Sequence, residues 1–217
     1  MHPHLRWFLS ATRLALLGLL IVAATAARAA SSVPSPGNST IPSCLLTTPG
    51  GNIVDVVIVR DLASNPINNS LVVLDYDNCP GFVPCPQGGG APGDNYVVDP
   101  VAKTIRLFTS SQGQAPFYLR AGGGCSGNGI RISADGVLLG QIRAASADQN
   151  GDLAVDGADF ALIASKIGTS DLSGDLNCDG VVDVLDQYAA MAYNGVNCLD
   201  PTDTHHRSWG SVKTIYR

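Results

Sequence analysis

Two stretches of this chain superimpose with an offset of 27 residues: Asp148-Gln149-Asn150-Gly151-Asp152-Leu153-Ala154-Val155-Asp156-Gly157-Ala158-Asp159 and Asp175-Leu176-Asn177-Cys178-Asp179-Gly180-Val181-Val182-Asp183-Val184-Leu185-Asp186. Oxygen-bearing side chains recur at the first, third, fifth, ninth and twelfth positions, and the eighth is valine in both, where paired loops of this type join through a short β bridge. A chain with that spacing closes into a small loop with its oxygens turned inward, and the backbone carbonyl of the seventh residue, Ala154 or Val181, adds another. Each loop runs into a predicted helix, Asp159 to Ile167 and Asp186 to Asn194, and each helix meets a glycine at the same distance, Gly168 and Gly195. Glycine is the expected residue just past a helix end. Phe160, Ile163, Ala164 and Ile167 make an apolar stripe on the first predicted helix; Tyr188, Met191 and Ala192 make one on the second. Neither is long enough to stand alone, so the two are expected to pack together.

The donors are all oxygens, which suits a hard cation, and calcium accepts such a set in flexible geometry. Composition carries the same mark. All 18 acidic residues are aspartate and none is glutamate, which excludes helical His-Glu zinc proteases and glutamate-paired glycosidases. Nine of the aspartates lie between Asp148 and Asp186, where Lys166 is the sole basic residue, so that segment carries −8. The histidines are His2, His4, His205 and His206, which leaves no centre for a His-based triad or a three-His metal site. A formal net charge of −5 speaks against non-specific nucleic-acid binding.

With donors, valine and glycine stop all repeated, the pair resembles a type I dockerin. Those modules are tandem calcium loop-plus-helix repeats in which the incoming helix of an EF-hand is missing and the twelfth ligand is Asp. Gln141 to Ala147 reads as the end of a strand, in keeping with that missing helix. The resemblance covers about residues 147–197. It implies two calcium ions, one held by Asp148, Asn150, Asp152, Asp156 and Asp159 with the carbonyl of Ala154. The other would be held by Asp175, Asn177, Asp179, Asp183 and Asp186 with the carbonyl of Val181. The sixth position, where the chain turns sharply, is Gly180 in the second loop and Leu153 in the first. A left-handed leucine costs about 1–2 kcal/mol, so the second loop is expected to bind more tightly. In dockerins, residues between the ninth and twelfth positions help recognise a cohesin. Their equivalents here are Gly157-Ala158 and Val184-Leu185, without the Ser-Thr pair common in cellulosomal members. A docked cohesin-like or cell-surface partner and a stabilising module without a partner are both left open.

Upstream, apolar residues arrive in short runs: Ile53 to Val59, Leu71 to Tyr76, Tyr96 to Val98, Thr104 to Thr109, Pro116 to Leu119, Ile130 to Ser133 and Val137 to Ile142. Asn65-Pro66, Asp99-Pro100 and Ala134-Asp135-Gly136 separate them, the last as a hairpin. This predicts a two-sheet sandwich over residues 53–146. Val54 to Leu74, with Asp61, Asn65 and Pro66 between two β-branched runs, resembles bacterial Ig-like domains of the invasin and intimin type. The turn Thr109 to Ala115 is similar to that family's Thr…Gly-x-Ala turn. The resemblance implies a spacer or adhesive module without catalysis. Gly122 to Gly127, with Cys125 and Ser126, reads as a structural turn because no helix follows and no histidine is near. The fold class is therefore mainly β with a small α module.

Arg6 and Arg13 precede an apolar run from Leu14 to Ala26, and Ala27-Arg28-Ala29 has small residues where a signal peptidase reads. At about 1.5 Å per residue this run covers about 20 Å, too little for a membrane span. Residues 1–29 are read as a signal peptide, 30–52 as a linker and 198–217 as a tail. No membrane span is expected after cleavage. Export permits disulfides, and the simplest pairing keeps each within its half: Cys79 with Cys85, Cys44 with Cys125, Cys178 with Cys198. The expected protein is a secreted or cell-surface, non-catalytic calcium binder with structural or adhesive function. The alternative is an accessory component of a cellulosome-like, polysaccharide-degrading assembly, with glycan as a further ligand. An enzyme using Asp75 and Asp77 from one strand face is the weakest reading.

Overall fold

The computed structural model describes residues 33–86 and 96–198. The expected signal peptide and the tail beyond Cys198 lie outside these residues. Among the described residues ten strands form: β1 (Leu45–Thr47), β2 (Asp55–Ile58), β3 (Leu71–Asp75), β4 (Val83–Pro84), β5 (Val97–Asp99), β6 (Thr104–Phe108), β7 (Gln114–Phe117), β8 (Ala121–Gly122), β9 (Cys125–Ala134) and β10 (Val137–Ser146). Two helices follow, α1 (Gly157–Lys166) and α2 (Val184–Met191), with a short 3-10 turn, Leu172–Gly174, between them. The chain is mainly β with a small α part.

Six strands form one curled sheet in the order β1-β10-β9-β3-β6-β5, while β2 pairs with β7 and β4 with β8. Alternation sets the register. Leu74 lies opposite both Ile105 and Ile132, Val72 opposite Leu107, and Ile142 opposite Ile130, so one face of the sheet is a continuous apolar surface. The β2–β7 ribbon brings Val57, Ala115 and Phe117 to the same core. Asp135 and Gly136 both take positive φ at the β9–β10 hairpin, as a two-residue turn requires. Register shifts in β10 after Leu138 and Ile142 bend that strand around the core.

Several expectations change. Leu45–Thr47, within the stretch read as linker, is β1, and it lies parallel on β10. β4 and β8, at two residues each, carry no alternation to read. Both helices begin two residues before the twelfth loop position, because Asp156 and Asp183 act as N-caps. Asp77 lies past the end of β3, not on one strand face with Asp75. It pairs with Lys103 at 2.7 Å while Asp75 pairs with Arg131 at 3.7 Å.

Two of the three disulfides run between the halves, and the one that stays within the N-terminal half is not the expected pair. The three join Cys44 to Cys178, Cys79 to Cys125 and Cys85 to Cys198. Proximity in sequence misleads because β1 lies beside β10, and β10 leads directly into the repeat. Among the described residues no helix is long and apolar enough to cross a membrane.

Candidate metal centre

The first loop begins where β10 stops, and strand geometry takes the place of an incoming helix. Ala147 donates its N–H to the Thr47 carbonyl, Asp148 donates its N–H to Ser146 Oγ, and the Asp148 carbonyl accepts from Gly123. Gly123 is itself left-handed, and a Cβ there would run into the Gly81 carbonyl, so backbone packs directly on backbone beneath the loop. Asp148 is thereby fixed by the sheet before the loop starts.

From there the two loops use one hydrogen-bond scheme, apart from one N–H at the first position. At the first position Asp148 accepts from the N–H groups of Gly151 and Leu153, both at 2.8 Å. Asp175 accepts from Asp179 at 3.2 Å and Gly180 at 2.8 Å. At the third position Asn150 and Asn177 accept from Asp152 and Asp179. The fifth residues, Asp152 and Asp179, accept from Ala154 and Val181, whose carbonyls are the seventh-position candidates. At the ninth, Asp156 and Asp183 accept from Ala158 and Leu185, capping the helices. The twelfth residues close the circle. Asp159 accepts from Gln149, Asn150 and Asp156, and Asp186 from Leu176, Asn177 and Asp183.

Each twelfth residue also sets the rotation of its helix. With Asp159 and Asp186 held inside, the residues one turn on, Ile163 and Ala190, must follow them inward. Both are buried, and with Ala147, Val155 and Val182 they form a second core, with Phe160, Leu176, Tyr193 and Val196 against it. The stripe expected inside on the second helix therefore faces out. Tyr188 is 66% exposed and Met191 44%.

The eighth-position valines are buried, yet they do not bridge to each other. The Val155 N–H and carbonyl bond to Val196 and Gly195, and the Val182 carbonyl accepts from Gly168. Each loop is thus tied to the glycine that ends the other repeat's helix. Gly168 and Gly195 take the left-handed conformation expected of them.

The first and twelfth aspartates of both loops are completely buried, while Asn150, Asp152, Asn177 and Asp179 face solvent. Burial pushes the Asp148 carboxyl up to about 6; the N–H groups of Leu153 and Gly151 oppose it, and the Asp159 and Asp152 charges add to it. Such a group gains from a nearby cation. The one lysine of the segment does not serve, since Lys166 bonds Gln149, Ser173 and Asp171 instead. The second loop has a cation of its own. Arg143 on β10, itself mostly buried, pairs with Asp175. Sequence offers no sign of this pair, which joins residues 32 apart.

Along both loops the first and twelfth sequence-predicted donors are buried and the third and fifth are exposed. Among the described residues, no three Asp, His or Cys side chains are gathered into a group that could hold an ion. The donor chemistry nevertheless fits calcium: the set is all oxygen, two buried carboxylates per loop converge on one turn, and the third and fifth side chains open to solvent. No family model matches the chain, and neither does any curated protein or solved structure.

Proposed function

We propose that this is a secreted, non-catalytic structural or adhesive protein in which a dockerin-like repeat binds two calcium ions beside an Ig-like sandwich. Asp148, Asn150, Asp152, Asp156 and Asp159, with the Ala154 carbonyl, hold one ion. Asp175, Asn177, Asp179, Asp183 and Asp186, with the Val181 carbonyl, hold the other. The observation that carries the reading is a hydrogen-bond scheme that recurs in both loops at the third, fifth, sixth, ninth and twelfth positions, around fully buried aspartates. Three disulfides support an oxidising compartment. Bound calcium would supply positive charge to a segment of −8 and so hold the helix pair together.

Calorimetric titration of the full chain with calcium is expected to give two ions per chain. Asp152→Ala and Asp179→Ala, each exposed and at a fifth position, should remove one ion apiece. No calcium binding by the intact oxidised chain would sink the assignment.

A second reading, an accessory of a polysaccharide-degrading assembly docked through a cohesin, is favoured by the outer face of α2. Val184 and Leu185, at the positions dockerins use for recognition, are exposed together with Tyr188 and Met191. Calcium-dependent capture by immobilised cohesins, lost in Leu185→Asp, would favour it over the partnerless module. Capture on insoluble glycan without a cohesin would place binding in the sandwich instead.

A further inference from the structure

One disulfide ends within the second calcium loop, and another ends on the segment that pairs with the first. Cys178 is the fourth residue of the second loop and is bonded to Cys44, next to β1. Cys44 and Cys178 therefore fasten that loop to the edge of the sheet, between Asn177 and Asp179. The first loop contains no cysteine, but the segment after α2 lies along it. Asn197 bridges to Ala154, the Cys198 N–H donates to the Leu153 carbonyl at 3.2 Å, and the Val155 N–H donates to Val196 at 2.9 Å. Cys198, in that segment, is bonded to Cys85. The Arg120 side chain holds the Cys198 carbonyl at 2.7 Å, on the same anchor. The third disulfide, Cys79 to Cys125, includes no residue of either loop.

We infer that Cys44 and Cys85 are positioning residues for the two calcium sites, so that the affinity of each loop is set by its own disulfide and falls when that disulfide is reduced. The inference rests on the calcium reading above. A twelve-residue loop must be ordered before its oxygens converge, and that ordering costs conformational entropy. A covalent tie from the loop to the sheet removes part of this cost before the ion arrives. In the second loop the tie falls at Cys178, one of two left-handed residues, so it restrains the turn that aims Asp175 and Asp179. In the first it acts through the strand-like segment paired with Leu153 to Val155. Reduction by a dithiol transfers two electrons and two protons to each disulfide. Two thiols result, the dithiol becomes its own disulfide, and the loop is released from the sheet with its ligand residues chemically unchanged.

The test is calcium titration of the full oxidised chain and of three paired variants, each in an Asp152→Ala or Asp179→Ala background that leaves a single loop competent. Cys44→Ala with Cys178→Ala should weaken the second loop on the order of tenfold and spare the first. Cys85→Ala with Cys198→Ala should do the reverse. Cys79→Ala with Cys125→Ala should leave both within about twofold. A merely structural role for the disulfides predicts equal loss at both loops, and that result would overturn the inference, as would unchanged affinities in all three variants. If a variant fails to fold, dithiol reduction and alkylation of the folded wild-type chain puts the same question; equal calcium affinity before and after overturns the inference. Absence of calcium binding in the oxidised wild-type chain is a separate outcome, which removes the calcium reading itself.

Discussion

Asp55 lies on β2 with 6% of its surface exposed, and of its two carboxylate oxygens one accepts from the Leu46 N–H at 3.4 Å while the other has no partner. Burial pushes this carboxyl up to about 7, against the smaller opposing effect of the Leu46 N–H. An unfolded aspartate ionises near 4. Between those values the folded chain holds a proton that the unfolded chain has released. Stability from this group is therefore complete below about pH 4 and is lost as pH rises through about 7. Full ionisation costs on the order of 4 kcal/mol. Asp55→Asn should raise the melting temperature at pH 8 and change it little at pH 4, measured by thermal melts across that range. An unchanged difference across pH would show that Asp55 is charged in the folded state throughout. Asp61, also buried, goes the other way: burial raises it, but hydrogen bonds from Asn65 and Ala63 outweigh burial and hold its carboxyl below the usual range. One residue type meets opposite fates according to the N–H groups the fold aims at it.

Each twelve-residue loop holds two left-handed residues, at the fourth and sixth positions, and one of the two is glycine. They are Gly151 and Leu153 in the first loop, Cys178 and Gly180 in the second. The expectation that the second loop binds more tightly considered the sixth position alone, and the fourth balances it. The Arg143 pair with Asp175 adds a competing cation to the second loop only. Relief of strain in the first loop is therefore the cleaner experiment. Leu153→Gly should stabilise the calcium-bound chain by about 1 kcal/mol, read as a higher melting temperature in calcium, and should tighten the first site without touching the second. A lower melting temperature would mean that contacts of the Leu153 side chain outweigh its backbone cost. The helices show how far spacing alone carries at this scale. Their existence, their length to within a few residues and their glycine stops were legible in the repeat. The buried face of α2 was not, because hydropathy marks Tyr188 and Met191 as core whereas the backbone bonds of Asp186 turn Ala190 inward.

At the scale of the whole molecule the repeat is not a separable bead on a linker. Two disulfides, the Arg143–Asp175 pair, the Arg120 bond to Cys198 and the Gly123 bond to Asp148 join it to the β part. An isolated fragment of residues 147–217 would lack Cys44 and Cys85 and leave Cys178 and Cys198 without those partners. Its calcium-dependent helicity by circular dichroism should be weaker than that of the same segment in the intact chain, with affinity down on the order of tenfold or more. Equal affinity would show that the repeat needs nothing from the sheet. By itself the sequence determined what is local. Oxygen spacing, capping aspartates, glycine stops and two-residue alternation act through neighbours a few positions away, so they can be read from one stretch at a time. Tertiary structure alone decided the cysteine pairing, the place of β1 beside β10, the arginine at the second loop and the outward face of α2. Each of these depends on which distant segments the closing sheet brings together, and residues such as Cys44 and Cys178, 134 apart, leave no mark of that meeting in the order of the chain.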